Sequence, residues 1–314
     1  MIINAFNGVF TLVILITVGF SLGKKGWFND NADNLMSKLV INISLPAFMI
    51  ANLNTSFTKE QFIGSLGGYI VAFLCITLTY LVGSIIYKVF NISSNRKGVF
   101  RALFGLSNTI FVGLPVNISI FGEKALPYIL IYYIINTLFF WSIAAYDIRQ
   151  DGKSVNNKFL SKENLKNIIS APLVAFIFST ILILLQIKLP IFILDSCKYL
   201  GNLTTPLSTI FIGSILSSMN YSEMKVDKDS VLILIGRFII SPIAAFILLS
   251  FTSFPLLMKQ VFIVMSAMPV MNTVAIVARE YDGDYKFASV LNATSLIASF
   301  VFIPIYVFLF KYLL

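Results

Sequence analysis

Ten apolar segments, each about 20 residues long, alternate with short polar breaks along the chain. Segments of this length and continuity are typical of membrane-spanning helices, whereas barrel strands alternate in polarity over about ten residues. The pattern predicts an all-α membrane protein with ten transmembrane helices. We place the spans at 5–23, 32–54, 63–88, 98–121, 125–148, 165–187, 191–218, 229–252, 256–279 and 285–311.

The composition agrees with a membrane protein and removes several other classes. Hydrophobic residues make up 58% of the chain and charged residues 12%, which is about half the charged fraction of a soluble domain. There is no histidine, and the two cysteines, Cys75 and Cys197, fall in apolar segments. The chain therefore lacks the usual zinc ligand and the base of most nucleophile pairs. We predict no enzyme activity, no metal and no cofactor.

The basic residues indicate the orientation of the spans. Seventeen of the 23 lysines and arginines lie at or beside the connections that follow odd-numbered spans, and six lie on the other side. By the positive-inside rule, the more basic side is cytoplasmic. We therefore expect a multi-pass protein of the cell membrane with both termini outside. Because this topology explains the net charge of +9, nucleic acid is not predicted as a partner.

The two halves of the chain resemble each other at an offset of about 160 residues. Asn-Ile-Ser-Leu-Pro at 42–46 parallels Asn-Leu-Thr-Thr-Pro at 202–206, and Phe-Gly-Glu at 121–123 parallels Asp-Gly-Asp at 282–284. Five spans per half is an odd number, so a second copy enters the membrane from the opposite side, as in many secondary transporters. We predict a first repeat at 1–149, a cytoplasmic linker at 150–164 and a second, inverted repeat at 165–314.

The fourth and ninth spans, which occupy matching positions in the two repeats, are predicted to be broken helices that cross. Gly113 and Pro115 lie inside the fourth span, and Pro269 lies inside the ninth. Proline removes a backbone hydrogen bond and clashes with the preceding turn, and glycine lowers the resistance to unwinding. The alternative is an ordinary proline kink in each span. Freed backbone groups in lipid need protein, water or substrate as partners, so we expect the substrate site at these breaks.

Several motifs, in combination and in order, resemble those of the auxin efflux carrier family, including its bacterial malate and malonate permease-like members. They are NTIFVGLP at 108–115, FGEKALP at 121–127, NTLFFW at 136–141, LGNLTTP at 200–206, MPVMNT at 268–273 and REYDGD at 279–284. The resemblance covers the whole chain. It implies homodimers and elevator-type exchange of a small organic anion such as a carboxylate.

The resemblance also implies that the spans belong to two parts with different roles. Spans 1, 2, 6 and 7 correspond to a scaffold, and spans 3–5 and 8–10 to a moving transport domain. Asn108 falls where the family places a substrate-contacting asparagine before its first crossover proline, here Pro115. Plant members carry a second crossover proline about five residues beyond the position of Pro269, where this chain has Val274, as its bacterial relatives do.

Asparagines are the main candidates for substrate contact. A half-helix that begins at mid-membrane points free amides and a partial positive charge toward the break, which suits a carboxylate. The predicted substrate-binding residues are Asn42, Asn108, Asn117, Asn202 and Asn272, with Pro115 and Pro269. Helix capping is the alternative role for Asn42 and Asn202. Arg237 is expected to snorkel to the cytoplasmic surface or, alternatively, to attract an anion near the cytoplasmic mouth.

Other functions remain as alternatives with their own requirements. A cation or proton antiporter needs carboxylates at mid-membrane, whereas the acidic residues of this chain lie near span ends. An intramembrane protease needs a catalytic pair at one depth, and Asp282 and Asp284 are expected in a loop. A sensor or channel-like module on the same scaffold differs from a carrier in its electrical conductance.

Overall fold

A computed structural model describes residues 2–56, 58–151, 171–218, 226–281 and 283–313. Helices form nearly all the regular structure of these segments, and the β-type pairing among them is a single isolated bridge. Long apolar runs without alternation favour helices, because a helix satisfies its backbone groups internally. The all-α prediction is confirmed.

In the first half of the chain, α-helices alternate with short π-helical turns. The α-helices are α1 (Ile2–Lys24), α2 (Asp30–Leu39), α3 (Leu45–Ser56), α4 (Lys59–Gly64), α5 (Gly67–Val89), α6 (Lys97–Gly105), α7 (Leu114–Phe121), α8 (Leu126–Phe139) and α9 (Ala145–Asp151). The π-helical turns Val40–Ser44, Thr109–Gly113 and Phe140–Ala144 lead directly into α3, α7 and α9. Such turns inside α-helices are frequent at functional sites.

The second half is organised in the same way. Its α-helices are α10 (Ala171–Leu184), α11 (Ile191–Gly201), α12 (Thr204–Ser218), α13 (Lys228–Ile235), α14 (Ser241–Ser250), α15 (Leu256–Ser266), α16 (Thr273–Glu280) and α17 (Tyr285–Leu313). A π-helical turn, Gly236–Ile240, joins α13 to α14. The predicted linker at 150–164 lies almost entirely outside the described residues, although α9 extends through Asp151.

Several of the described helices have the length and composition of membrane spans. Five helical stretches qualify by both criteria, namely Asn31–Thr55, Phe62–Val89, Glu123–Asp151, Lys228–Ser250 and Tyr285–Leu309. Shorter apolar helices cover Thr11–Lys24, Thr109–Phe121, Ala171–Leu184 and Leu256–Ser266. These helices agree with a multi-pass membrane protein, whereas the ten-span inverted repeat stays a prediction.

The chain divides into two compact units, and unit 1 comprises residues 1–67, 110–130 and 169–219. Within unit 1, α1 packs along α12, and α3 packs against α10 and α11. The contact between α1 and α12 is close enough that a β-carbon added at Gly213 would lie 2.1 Å from the backbone oxygen of Ile16. Small residues at helix contacts in membranes permit such approach of two backbones.

Unit 2 comprises residues 68–109, 131–168 and 220–314. Within it, α6 packs against α9, α13 and α16, and α16 packs along α17. Asp147 of α9 accepts a hydrogen bond from the hydroxyl of Tyr80 and forms an ion pair with Arg101, with 2.6 Å between its Oδ2 and Nη1. These contacts join α5, α6 and α9.

Arg96 joins three segments at one end of unit 2. Its Nε donates to Asp284 at 2.6 Å, and its Nη1 donates to Asp227 at 2.9 Å and to Asp229 at 3.2 Å. Asp227 also accepts the backbone amide of Ser230 and so caps α13. Burial alone would raise the pKa of Asp227, but the hydrogen bonds from Ser230 and Arg96 outweigh burial and lower that pKa below the ordinary 3.8.

Replacing Arg96 by glutamine is expected to lower the free energy of unfolding by about 1 kcal/mol, the upper range for partly exposed ion pairs. Because the folded-state pKa of Asp227 is depressed, its stabilisation is complete above its ordinary pKa and is lost as pH falls through the folded value. Below about pH 4, the melting temperature in detergent should therefore decrease less steeply with falling pH in Arg96→Gln than in wild type. Lys188→Gln, at an exposed position, is the control. Identical pH profiles for Arg96→Gln and wild type would contradict the assignment.

Candidate functional site

The fourth span is interrupted between α6 and the π-helical turn that precedes α7. Helix α6 ends at Gly105, and Leu106 has extended backbone angles, φ −110° and ψ 137°. Gly113 closes the π-helical turn, and Pro115 lies in the first turn of α7. Proline is tolerated there because its missing N–H would have no helical partner. The break therefore lies at residues 106–108, earlier in the chain than the predicted positions Gly113 and Pro115.

The ninth span is interrupted between α15 and α16. Helix α15 ends at Ser266, and α16 begins at Thr273. Pro269 lies between them, as the sequence predicted for this span. The missing proline amide and the ring clash exclude a continuous α-helix through this segment. The ninth break thus coincides with its proline, in contrast to the fourth.

The two breaks meet within unit 2. Ser107 and Val270 form an antiparallel bridge, and the backbone amide of Asn108 donates to the carbonyl of Pro269 at 2.8 Å. We call residues 106–108 and 267–272 the junction. The extended backbone of each break supplies hydrogen-bond partners to the other, as the low dielectric of a protein interior requires.

Two side chains from neighbouring helices complete the pairing of the junction backbone. The side-chain amide of Asn136 accepts from the backbone N–H of Ser107 at 3.3 Å and donates to the Ser107 carbonyl at 3.0 Å. Asn136 therefore pairs with both backbone groups of Ser107, as a neighbouring strand would. On the other break, the hydroxyl of Ser295 accepts the backbone amide of Val270 at 3.2 Å. Both side chains hold an otherwise unpaired backbone in place.

Arg237 lies beside the junction and is fully buried, with 0% of its surface exposed. Its Nη1 donates to the carbonyl of Phe104 at 3.3 Å, and its Nη2 donates to the carbonyl of Ser266 at 2.6 Å. Nε and Nη2 both donate to the carbonyl of Met268, at 3.2 and 3.1 Å. The prediction that Arg237 snorkels to the cytoplasmic surface is wrong, because its guanidinium turns inward to these carbonyls.

Two of the three carbonyls that Arg237 contacts belong to the ends of half-helices. Phe104 lies in the last turn of α6, and Ser266 is the last residue of α15. Helix C-termini carry a partial negative charge, which a buried cation offsets. Helix α16 begins at the same junction, and its N-terminus carries a partial positive charge. The junction thus combines one guanidinium with one positive helix end, and among the described residues no ion pair joins Arg237 to an acid.

The structure brings only part of the predicted substrate-binding set into the junction. Asn108 and Pro269 are buried there, and Asn272 is half-buried at the start of α16, where its side chain makes no capping hydrogen bond. The other predicted residues belong to unit 1. The side-chain amide of Asn117 donates to the Gly113 carbonyl at 2.8 Å.

Asn42 and Asn202 also lie in unit 1, and both side chains are exposed. Asn42 sits in the π-helical turn Val40–Ser44, and Asn202 is the residue at which α11 ends. Asn136 and Ser295 are site residues that the sequence did not predict. An asparagine between apolar residues of the fifth span was the signal that could have identified Asn136.

Comparisons with known proteins agree with a multi-pass membrane protein. The sequence profile of the membrane transport protein family matches residues 4–307. An uncharacterized transporter of Methanocaldococcus jannaschii is 29% identical over 303 residues, which cover 94% of this chain and 92% of the relative. An uncharacterized transporter of Methanothermobacter thermautotrophicus is 24% identical over 302 residues, covering 95% and 96%. The chain therefore belongs to the membrane transport protein family, the family of the auxin efflux carriers.

Proposed function

We propose that this membrane transporter is a secondary carrier that moves a small organic anion, such as a carboxylate, across the cell membrane. The observation that carries the proposal is the junction, where a buried guanidinium and a helix N-terminus meet at interrupted backbone. Family membership supports transport in general. The charge of the junction is the argument for an anion as the cargo.

The side chains of the junction favour a negatively charged solute. Asn108 and Asn272 are amides that can donate hydrogen bonds without adding charge. Arg237 contributes a permanent positive charge in a water-poor environment, where electrostatic attraction is strong. A sodium or proton site would instead need a carboxylate at this depth. The described acidic residues with ion pairs lie elsewhere in unit 2 or on α11.

Packing within unit 1 supports the proposed inverted repeat. An inverted repeat equates span 1 with span 6 and span 2 with span 7. The pair formed by α1 and α12 joins spans 1 and 7, and the pair formed by α3 and α10 joins spans 2 and 6. A two-fold relation exchanges these two pairs. The packing is therefore what two copies in opposite orientation would produce.

We further propose that unit 1 acts as the scaffold of a homodimer and that unit 2 is the moving element of an elevator-type carrier. Unit 1 contains the helices of spans 1, 2, 6 and 7, together with residues 110–130. Unit 2 contains the junction with Arg237, so the bound anion would travel with it. In this proposal both termini lie outside the cell, and Asn42 and Asn202 stay candidate contacts on the scaffold.

Replacing Asn108 by alanine is expected to reduce anion transport by more than about tenfold, because a lost hydrogen bond to a charged group costs 1.5–3 kcal/mol. The measurement is counterflow of labelled malonate or malate in proteoliposomes. Asn52→Ala is the matched control, since the Asn52 amide donates to the Phe48 carbonyl of its own helix at 3.0 Å. Equal counterflow by wild type and Asn108→Ala would remove Asn108 from the site.

The same preparation tests the competing functions. Purified protein that moves no organic anion from a broad panel, but exchanges sodium for protons, would favour a cation antiporter. Conductance far above the turnover of a carrier in planar bilayers would favour a channel-like module. We expect neither, because the described side chains of the junction are amides and a neighbouring guanidinium rather than carboxylates.

A further inference from the structure

Arg149, near the end of α9, is a second buried arginine outside the junction. Only 4% of its surface is exposed. Its Cζ lies 4.4 Å from the centroid of the Tyr281 ring, and its Nε and Nη1 have no hydrogen-bond partner among the described residues. A buried charge without hydrogen bonds is strongly disfavoured unless something satisfies it. Among the side chains that the structure describes, the arrangement therefore lacks a group that accepts hydrogen bonds from Arg149 and carries negative charge.

The two acidic residues nearest to Arg149 on its own helix are already engaged. Asp147 forms an ion pair with Arg101 at 2.6 Å. Asp151 accepts two backbone amides in the first turn of α6, each at 2.8 Å. Asp147 and Asp151 are four residues apart and share one face of α9, whereas Arg149 lies between them in sequence and points to another face, toward Tyr281. Neither carboxylate forms an ion pair with Arg149.

We infer that Arg149 is the centre of a second anion-binding site, specific for an oxyanion such as a phosphate or carboxylate group. The planar guanidinium matches such groups in two parallel hydrogen bonds. The guanidinium lies over the Tyr281 ring, and its buried Nε and Nη1 keep their hydrogen-bonding capacity unused among the described residues. Arg237 differs, because four hydrogen bonds to carbonyls occupy its edges.

The source of the oxyanion is either a free anion or a lipid headgroup, and both offer the same chemistry to Arg149. The residue lies at the end of the stretch Glu123–Asp151, which has the length and composition of a membrane span. The positive-inside rule assigns this end to the cytoplasm. Anionic headgroups and soluble phosphate or carboxylates are both present at that surface.

The test is binding of inorganic phosphate to the full-length protein in a neutral detergent free of phosphate. In wild type, we expect the melting temperature to rise with the logarithm of phosphate concentration once the site is nearly filled. We expect Arg149→Met to lose this rise and Arg149→Lys to need at least about tenfold more phosphate, because lysine lacks the planar fork. Arg279→Met is the matched control, since Arg279 also lies over a tyrosine ring, that of Tyr285 at 5.8 Å, but is exposed.

A second arm separates the two sources of the oxyanion. If phosphate has no effect but nanodiscs with phosphatidylglycerol stabilise wild type and not Arg149→Met, relative to phosphatidylcholine, a lipid headgroup is the ligand and the site stands. Equal stabilisation of wild type and Arg149→Met in both arms, or none in either, overturns the inference. Asn108→Ala is expected to keep the phosphate effect, so this result is independent of transport at the junction.

Discussion

Arg237→Ala is expected to abolish anion counterflow and to lower the free energy of unfolding by about 3–5 kcal/mol, as when one partner of a buried charged contact is removed. The variant leaves the carbonyls of Phe104, Ser266 and Met268 without the donor that now satisfies them. It also leaves the C-terminal ends of α6 and α15 without the cation that contacts their carbonyls. Counterflow of labelled malonate and melting curves in detergent measure the two effects.

Two further measurements distinguish the loss of a specific junction from general misfolding. Arg237→Lys keeps the charge but cannot reach three carbonyls with a planar fork, so we expect partial stability and slow transport. Added guanidinium at millimolar concentration is expected to restore part of the stability and part of the counterflow of Arg237→Ala, since it refills the vacated volume with the same donors. Counterflow at the wild-type rate in Arg237→Ala would show that the guanidinium is dispensable.

The all-helical character of the apolar segments and the position of one of the two breaks could be predicted from local sequence alone. Each apolar segment determines its own helix, because a chain in lipid must satisfy its backbone within the segment. Pro269 marks the ninth break directly, since proline cannot continue the helix there. In the fourth span, Pro115 instead lies at the start of α7, and the break precedes it at residues 106–108. A proline indicates a break only to within about a turn or two, because it is equally suited to the first turn of the next helix.

The chemistry of the junction could not be predicted, because its contacts join residues that are distant in sequence. Arg237 contacts carbonyls 29, 31 and 133 residues away, and Asn136 contacts Ser107, 29 residues away. A backbone carbonyl that accepts such a hydrogen bond cannot be recognised from the sequence, because every residue has a backbone carbonyl. The sequence therefore predicted a site of interrupted backbone without fixed charge, with Arg237 as an alternative contact for an anion near the cytoplasmic mouth. The structure adds a buried cation to that site.

Gly213→Ala is expected to lower the free energy of unfolding by about 2–3 kcal/mol through overpacking. A β-carbon at Gly213 would lie 2.1 Å from the backbone oxygen of Ile16 and 2.5 Å from the backbone nitrogen of Phe20. Neither atom belongs to a side chain that could change rotamer, so α1 and α12 must separate along their length. Loss of close backbone approach removes the packing on which helix association in membranes depends.

Gly64→Ala is the matched control for this prediction, because a β-carbon at Gly64 would meet nothing within 4 Å. The same glycine-to-alanine change there restricts the unfolded chain without a clash in the folded one. The melting temperature of Gly64→Ala should therefore equal that of wild type or be slightly higher. A parallel change at Gly19, where a β-carbon would lie 2.3 Å from the backbone oxygen of Ile210, should resemble Gly213→Ala. If Gly213→Ala and Gly64→Ala have the same melting temperature, α1 and α12 do not pack as described, and the proposed inverted repeat loses the support of one of its two helix pairs.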